Sequence, residues 1–142
     1  MNEQPMTVRL GSKDYAFMLR EAEEKAPEEA CGLLAGTDEA GVRFIRKVYL
    51  LENTDHAPEH FSLNPREQLD AIRDMRTNGF KPIGNWHSHP ATPSRPSAED
   101  IRLAFDKNAT YCILSLAGDS PVLNAFHIEN GTVRKENLQI EE

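Results

Sequence analysis

Hydrophobic positions recur with a helical period in two parts of the chain. From Ser12 to Lys25, apolar residues return at three- and four-residue steps with Glu and Lys between them. This spacing predicts an amphipathic helix that Ser12 caps and that ends before Pro27. Pro65 can open a second helix, which is predicted to run to about Thr77. Its inward face is predicted to hold Leu69, Ile72, Met75 and Arg76.

Elsewhere the apolar residues form short runs bounded by turn residues, as β-strands do. The first run, Ala30 to Ala35, is uncharged and ends at Gly36, which favours a buried strand. The sequence T-D-E-A-G then predicts a turn into a second strand. This strand and those that follow are predicted at Val42 to Leu51, Lys81 to His89, Thr110 to Leu116, Val122 to Glu129 and Thr132 to Asn137.

Two segments complete the predicted order of elements. Glu52 to Asn64 is polar and contains Pro58, so it is predicted to be a loop. Ser97 begins a third helix, which is expected to reach about Lys107. The resulting order predicts an α/β fold in which one sheet mixes hairpins with helix crossovers. A wholly parallel sheet is less favoured, because the last three strands have no helices between them.

Length and charge indicate how many domains the chain forms and which kinds of partner it can bind. The chain has 142 residues, 39% hydrophobic and 27% charged, which is typical of one soluble globular domain spanning residues 1–142. A net charge of -7 argues against a nucleic acid partner, which basic patches would bind. No apolar run approaches the roughly 20 residues that cross a membrane, and Met1 to Leu10 has no signal-peptide core. A cytoplasmic protein is expected, with Cys31 and Cys112 as buried thiols rather than a disulfide.

The candidate metal-binding residues lie in and after the predicted strand that ends at His89. His87 and His89 are two residues apart, so their side chains leave the same face of a strand. Pro90 ends this strand, and a proline-rich loop leads to a helix whose first turn contains Asp100. Two imidazoles and one carboxylate would give Zn²⁺ three ligands and leave a fourth position for water. A hydrolase needs such an open position.

Glu29 and Ser97 are the predicted partners of this metal site. Glu29 stands at the start of a buried strand, where an unpaired carboxylate is costly, and it is the best candidate for a general acid/base. Ser97 is a candidate donor to a developing oxyanion. Activity is then expected to fall below about pH 6, since the ligand histidines must be neutral and the base ionised.

Each of these residues also has a simpler interpretation. A pair of histidines on one strand face is often structural or solvated. Ser97 and Asp100 alone fit a helix capping box, a role that is compatible with metal binding. Glu29 alone could be a surface residue beside Glu28. His56 and His60 are predicted in a loop, His127 is a structural histidine, and Trp86 belongs to the core on the strand face opposite His87.

Together these segments resemble the JAMM/MPN+ zinc metallopeptidase family, in its small prokaryotic branch. The resemblance rests on E-A-C-G-L-L-A-G from Glu29, on G-N-W-H-S-H-P ending at Pro90 and on P-S-A-E-D ending at Asp100. The family pattern is a distant Glu, then H-x-H, seven residues, Ser, two residues and Asp, and it fits here without gaps. Asn85 occupies a place that is often aromatic in relatives.

The resemblance implies a single MPN domain with a mixed, mostly antiparallel sheet flanked by helices. It implies one Zn²⁺ per chain held by His87, His89 and Asp100, with Glu29 as general acid/base and Ser97 supporting the oxyanion. The expected substrate is a ubiquitin-like, β-grasp sulfur-carrier protein with a Gly-Gly tail, hydrolysed at its C-terminus. The alternatives are a non-catalytic MPN module with a structural zinc and, less favoured, a small-molecule hydrolase. The oligomeric state is not specified by the sequence.

Overall fold

The computed structural model describes residues 5–142, so residues 1–4 of the predicted domain lie outside the described part. Three helices occur in this part: α1 (Ser12–Lys25), α2 (Pro65–Thr77) and α3 (Ala98–Arg102). The strands are β1 (Thr7–Gly11), β2 (Cys31–Glu39), β3 (Val42–Leu51), β4 (Lys81–His89), β5 (Thr110–Ser115), β6 (Val122–Glu129), β7 (Thr132–Lys135) and β8 (Asn137–Glu141).

All eight strands form one mixed sheet in the order β7-β6-β5-β4-β2-β3-β1-β8. Four neighbouring pairs are antiparallel, namely β2 with β3, β2 with β4, β5 with β6 and β6 with β7. The β1–β3, β1–β8 and β4–β5 pairs are parallel. The predicted mixed, mostly antiparallel sheet is therefore confirmed, and β4 lies near its middle.

Helices cover both faces of the sheet. α1 packs on β1, β3, β5 and β8, and α2 packs on β2, β3 and β4. Trp86 of β4 is fully buried in the core cluster that also contains Met18 and Ala22 of α1, as predicted. Because side chains alternate along a strand, His87 and His89 point to the opposite face, where α3 also packs. This alternation places the predicted ligands beside the chain that follows β4.

Two predicted helix ends are wrong. Gly11 rather than Ser12 is the N-cap of α1, and no side chain caps that helix. α3 ends at Arg102 instead of near Lys107, because the main-chain N–H of Ala104 donates to the oxygen of Ile101 at 3.3 Å, three residues back, and the four-residue helical repeat stops there.

The predicted inward face of α2 also needs correction. Leu69 is 46% exposed and Arg76 is exposed, and the buried residues of this helix are Ala71 and Met75.

Several strand ends also differ from the prediction. β2 continues to Glu39 through the predicted turn, and the hairpin turns at Ala40 and Gly41, which both have positive φ angles. β1 and β8 are absent from the prediction. The predicted run Thr132 to Asn137 divides at Glu136, whose buried carboxylate accepts the main-chain N–H of Met6. Hydrophobic alternation alone does not reveal such an interruption.

Gly84 of β4 provides a stability prediction for the strand that carries both histidines. A Cβ at this position would lie 1.8 Å from the main-chain oxygen of Thr110 on β5. We expect Gly84→Ala to lower the free energy of unfolding by at least about 2 kcal/mol, because the backbone must shift. Urea unfolding measures the loss. Gly118→Ala is the control, since its nearest neighbour would be 3.8 Å away, and an equal loss in both variants would contradict the packing argument.

Candidate metal centre

Three side chains from β4 and α3 converge at one point. His87 Nε2 lies 3.1 Å from His89 Nε2 and 3.1 Å from Asp100 Oδ2, and His89 Nε2 lies 3.3 Å from the same oxygen. Both imidazoles are buried, and Asp100 is half-buried. The structure therefore brings together all three predicted ligands in a group that can hold a metal ion.

The donor spacing fits a small tetrahedral ion. Ligands bonded at about 2.0 to 2.1 Å in tetrahedral geometry lie about 3.3 Å apart, which is the edge of that tetrahedron. The three observed separations, 3.1, 3.1 and 3.3 Å, are close to this value. Burial lowers the pKa of His87, whereas burial opposes and hydrogen bonds with Asp100 and Pro93 raise the pKa of His89. Because His87 Nε2 and His89 Nε2 are 3.1 Å apart, protons on both nitrogens would repel each other, and two unprotonated nitrogens facing a cation fit the site better.

The Nδ1 atoms of the two imidazoles, which face away from the three converging atoms, have different surroundings. His89 Nδ1 is 2.9 Å from the main-chain oxygen of Pro93. When Nδ1 carries the proton and donates it to this oxygen, Nε2 is unprotonated and can bind a metal ion. His87 Nδ1 is buried without a hydrogen-bond partner among the described residues. The ring of Phe61 covers that of His87, with centroids 4.7 Å apart. Pro93 and Phe61 were not predicted as site residues, because a loop carbonyl and a loop aromatic carry no spacing signal.

Ser97 and Asp100 form the capping box that their spacing predicts. Ser97 Oγ accepts the main-chain N–H of Asp100 at 3.0 Å, and Asp100 Oδ2 accepts the main-chain N–H of Ser97 at 2.9 Å. Within residues 5–142 no acceptor takes the hydroxyl hydrogen of Ser97, which can be donated to another group. Although burial opposes it, hydrogen bonds with His87 and His89 hold the pKa of Asp100 well below its usual range. The cap therefore fixes an ionised carboxylate oxygen opposite the two imidazoles.

Glu29 is a buried acid at the entrance of β2. Only 4% of the residue is exposed, and its Oε1 has no hydrogen-bond partner among the described residues. Burial raises the pKa of this carboxyl group to about 8, with a smaller opposing effect from His89 and a further increase from Asp100. The surface interpretation of Glu29 is therefore wrong, and its charge acts on two of the candidate ligands.

Asn53 fixes the main chain of Glu29 and was missed by sequence analysis. Its Nδ2 donates to the main-chain oxygens of Glu29 at 3.1 Å and His60 at 3.1 Å, while Oδ1 accepts from the N–H groups of Asp55 and Ser62. The residue is 7% exposed. One asparagine in a polar segment gives no sequence signal for this role, which ties the 52–64 loop to the start of β2.

A narrow groove of about 180 Å³ leads to the candidate ligands. Its lining includes Phe61, Leu63, Leu103 and Tyr111 together with His87 and Asp100. β4 pairs with β2 on one side and β5 on the other, so the ligand strand has no free edge for an added strand.

The other histidines and both cysteines lie outside the candidate metal group. His56 and His60 are loop residues that contact Glu28 and Asp55, and Cys31 and Cys112 are buried free thiols, as predicted.

The sequence from residue 12 to residue 129 matches the family described as prokaryotic homologs of the JAB domain. The chain belongs to this family. It is 32% identical over 126 residues to the CysO-cysteine peptidase of Mycobacterium tuberculosis, which covers 88% of this chain and 85% of that protein. It is 33% identical over 90 residues to a probable TtuB-protein conjugate cleaving protease of Thermus thermophilus, which covers 63% and 55% of the two chains.

Solved structures confirm the JAB/MPN fold. The solution structure of a Desulfitobacterium hafniense protein is 49% identical, has a TM-score of 0.87, and covers 95% of this chain and 93% of that one. A JAB1/MPN domain protein of Archaeoglobus fulgidus, 21% identical, has a TM-score of 0.63 and covers 94% and 99%. Among the helices of residues 5–142, none has the length and apolar composition of a membrane span.

Proposed function

We propose that this JAB-family protein is a zinc-dependent peptidase or isopeptidase that hydrolyses a bond at the C-terminus of a ubiquitin-like sulfur-carrier protein. The observation that carries the proposal is the triangle of His87, His89 and Asp100 donors beside the buried carboxyl group of Glu29. A structural zinc would not require an unpartnered acid in this position. The non-catalytic alternative is therefore disfavoured.

His87 Nε2, His89 Nε2 and Asp100 Oδ2 would hold the ion. Bound zinc supplies a Lewis acid that polarises a carbonyl group and brings the pKa of a coordinated water to about 7. Pro93 orients His89 through its Nδ1, and the capping box with Ser97 orients Asp100. These contacts keep the donor set in place before substrate arrives.

Glu29 and Ser97 would handle the proton and the developing charge. Ionised Glu29 takes a proton from the attacking water and, once protonated, gives it to the leaving nitrogen. Its burial suits this exchange, because a pKa near neutrality lets one carboxyl group act as base and then as acid. The free hydroxyl hydrogen of Ser97 would be donated to the oxygen of the former carbonyl group.

The relatives and the shape of the site support the proposed substrate class. The names of two relatives specify a CysO-cysteine peptidase and a protease that cleaves a TtuB-protein conjugate. The groove beside Phe61 and Leu63 is narrow, which suits an extended tail without bulky side chains, such as Gly-Gly. Because β4 has no free edge, the tail is held in this groove rather than added to the ligand strand.

Intact mass spectrometry tests the proposal. Zinc-loaded protein is incubated with carrier proteins that end in Gly-Gly and bear either an amino acid or a lysine-linked peptide on the last glycine. We expect the mass of the free carrier to appear with first-order kinetics and to be suppressed by a chelator. If none of the carriers is cleaved under conditions in which the protein holds one zinc per chain, the proposed function is wrong.

Cleavage is expected to depend on pH through Glu29. Desolvation raises the pKa of this group to about 8, so its ionised form is favoured only as the pH rises. A bound divalent cation favours the ionised form of Glu29 and therefore lowers the pKa of this group. We therefore expect kcat/KM at constant zinc occupancy to increase between about pH 6 and pH 8. A profile that stays flat down to about pH 5 would contradict the role of Glu29 as base.

A further inference from the structure

The peptide group between Glu29 and Ala30 is held at both of its polar atoms. Its oxygen accepts a hydrogen bond from Nδ2 of Asn53 at 3.1 Å, and its N–H donates to Oγ of Ser88 at 2.8 Å. The N–H of Glu29 donates to the main-chain oxygen of Ala57 at 2.8 Å. The main chain that carries the proposed acid/base residue is therefore fixed by two segments that are distant in sequence, the 52–64 loop and β4.

The carboxyl group of Glu29 depends on this anchoring for its position. Its Oε1 is buried and has no hydrogen-bond partner within residues 5–142. A side chain that lacks such a partner is oriented mainly by the main chain that carries it. Because a displacement of about 1 Å can lower the rate of a reaction about 100-fold, the hydrogen bonds to this peptide group bear directly on proton transfer.

Asn53 also fixes the loop that forms one wall of the groove. Its Oδ1 accepts the main-chain N–H groups of Asp55 at 3.0 Å and Ser62 at 3.2 Å. Asn53 also forms an isolated β-bridge with Leu63. Phe61, Ser62 and Leu63 line the groove that leads to the candidate ligands. One buried side chain thus connects this wall of the groove to the acid/base residue.

The amide of asparagine suits this connection because it presents donors and an acceptor on opposite sides. Nδ2 carries two hydrogens and lies 3.1 Å from the main-chain oxygens of both Glu29 and His60. An aspartate would keep the acceptor and lose both donors, and a serine is too short to reach the same oxygens. Since Asn53 is only 7% exposed, water has little access to replace these bonds.

We propose that Asn53 is a positioning residue for hydrolysis, which sets the place of the Glu29 carboxyl group relative to a substrate tail that lies against residues 61–63. The inference rests on the proposed function and adds a residue that acts through another one. Glu29 takes a proton from the attacking water and gives it to the leaving nitrogen, so its carboxyl group must stay within hydrogen-bond reach of two different atoms. Ser88 holds the same peptide group from the side of β4.

The variant Asn53→Ser removes the amide and keeps an oxygen that can accept the main-chain N–H of Asp55. With zinc-loaded protein and a cleavable carrier, we expect kcat to fall about tenfold to 100-fold and KM to change less than about twofold. Zinc content should stay near that of the wild type. Thr54→Val is the matched control and should keep the wild-type kcat, because the Thr54 hydroxyl donates to the main-chain oxygen of Ser62 at 3.1 Å rather than to Glu29.

A double-mutant cycle separates positioning from a purely structural role. If Asn53 acts through Glu29, Asn53→Ser should change the kcat of Glu29→Gln by less than about twofold, since the group that it positions no longer transfers a proton. A further fall of about tenfold in that background, wild-type kcat in Asn53→Ser, or an equal loss in Thr54→Val would overturn the inference alone.

Asn53→Asp provides the same test if the melting temperature shows that Asn53→Ser does not fold. It keeps Oδ1 and loses the Nδ2 donors, so the same loss of kcat is expected, and again no further loss in the Glu29→Gln background. Wild-type kcat in Asn53→Asp would likewise overturn the inference. Absence of cleavage by the zinc-loaded wild type would instead overturn the proposed function, and this inference with it.

Discussion

Glu29→Gln is expected to abolish cleavage while leaving the metal in place. The amide has nearly the same shape as the carboxyl group but cannot take a proton from water, so we expect kcat to fall about 100-fold to 10,000-fold. Glu29 is not among the three converging donors, so zinc content should stay near one ion per chain. Cleavage kinetics and metal analysis of the same preparation measure both quantities.

The melting temperature of Glu29→Gln and the turnover of a control variant are measured in the same experiment. Glu29 is buried with an unpartnered oxygen, so the neutral amide should not lower the melting temperature at pH 8, where ionising the wild-type acid opposes folding. Glu23→Gln on the exposed face of α1 is the control and should retain wild-type turnover. If Glu29→Gln turned over substrate at the wild-type rate, the general acid/base would have to be another group.

The candidate metal ligands could be predicted from sequence because they are close along the chain. Strand alternation places His87 and His89 on one face, and the proline-rich loop returns the chain so that Asp100 meets them. The contacts between the histidines and Asp100 span only 11 and 13 residues. Local geometry fixes this group, and its spacing is visible in the sequence.

The place of Glu29 depends on long-range pairing instead. β2 pairs with β4 so that Cys31 lies opposite His87, and Ser88 Oγ accepts the main-chain N–H of Ala30 across 58 residues. Periodicity predicts both strands but not that they are neighbours. Sequence analysis assigned Glu29 to the histidines from the cost of an unpaired buried carboxylate and from the resemblance to a known family, not from strand pairing, and the sequence contained no sign of the anchoring by Asn53.

The limits of the fold prediction have a similar origin. β1 and β8 are short strands that pair with each other in parallel, and the partners Thr7 and Asn137 are 130 residues apart. They are held by this pairing, by the pairing of β1 with β3 and by packing against α1, rather than by an apolar run of their own. α1, α2 and the central strands have a strong hydrophobic pattern and were predicted within a few residues.

Removing one of the candidate ligands is expected to remove the metal. We expect His87→Ala and Asp100→Ala to lower zinc affinity by more than about 100-fold, because two remaining donors do not form a structural or catalytic site. Purified wild-type protein should hold about one zinc per chain, and either variant should fall well below that stoichiometry after dialysis. Full zinc retention in either variant would show that the ion is bound elsewhere.

Asp100 also belongs to a helix cap, so a further pair of variants separates the two roles. Asp100→Asn keeps an oxygen that can accept the Ser97 N–H but removes the charge, and it should lose zinc while α3 stays folded. Ser97→Ala deletes the acceptor for the Asp100 N–H at a cost of about 1 kcal/mol and leaves all three donors intact, so zinc should stay bound. The opposite result, with zinc lost on removal of the cap and kept on removal of the charge, would mean that Asp100 positions the helix and does not hold the ion.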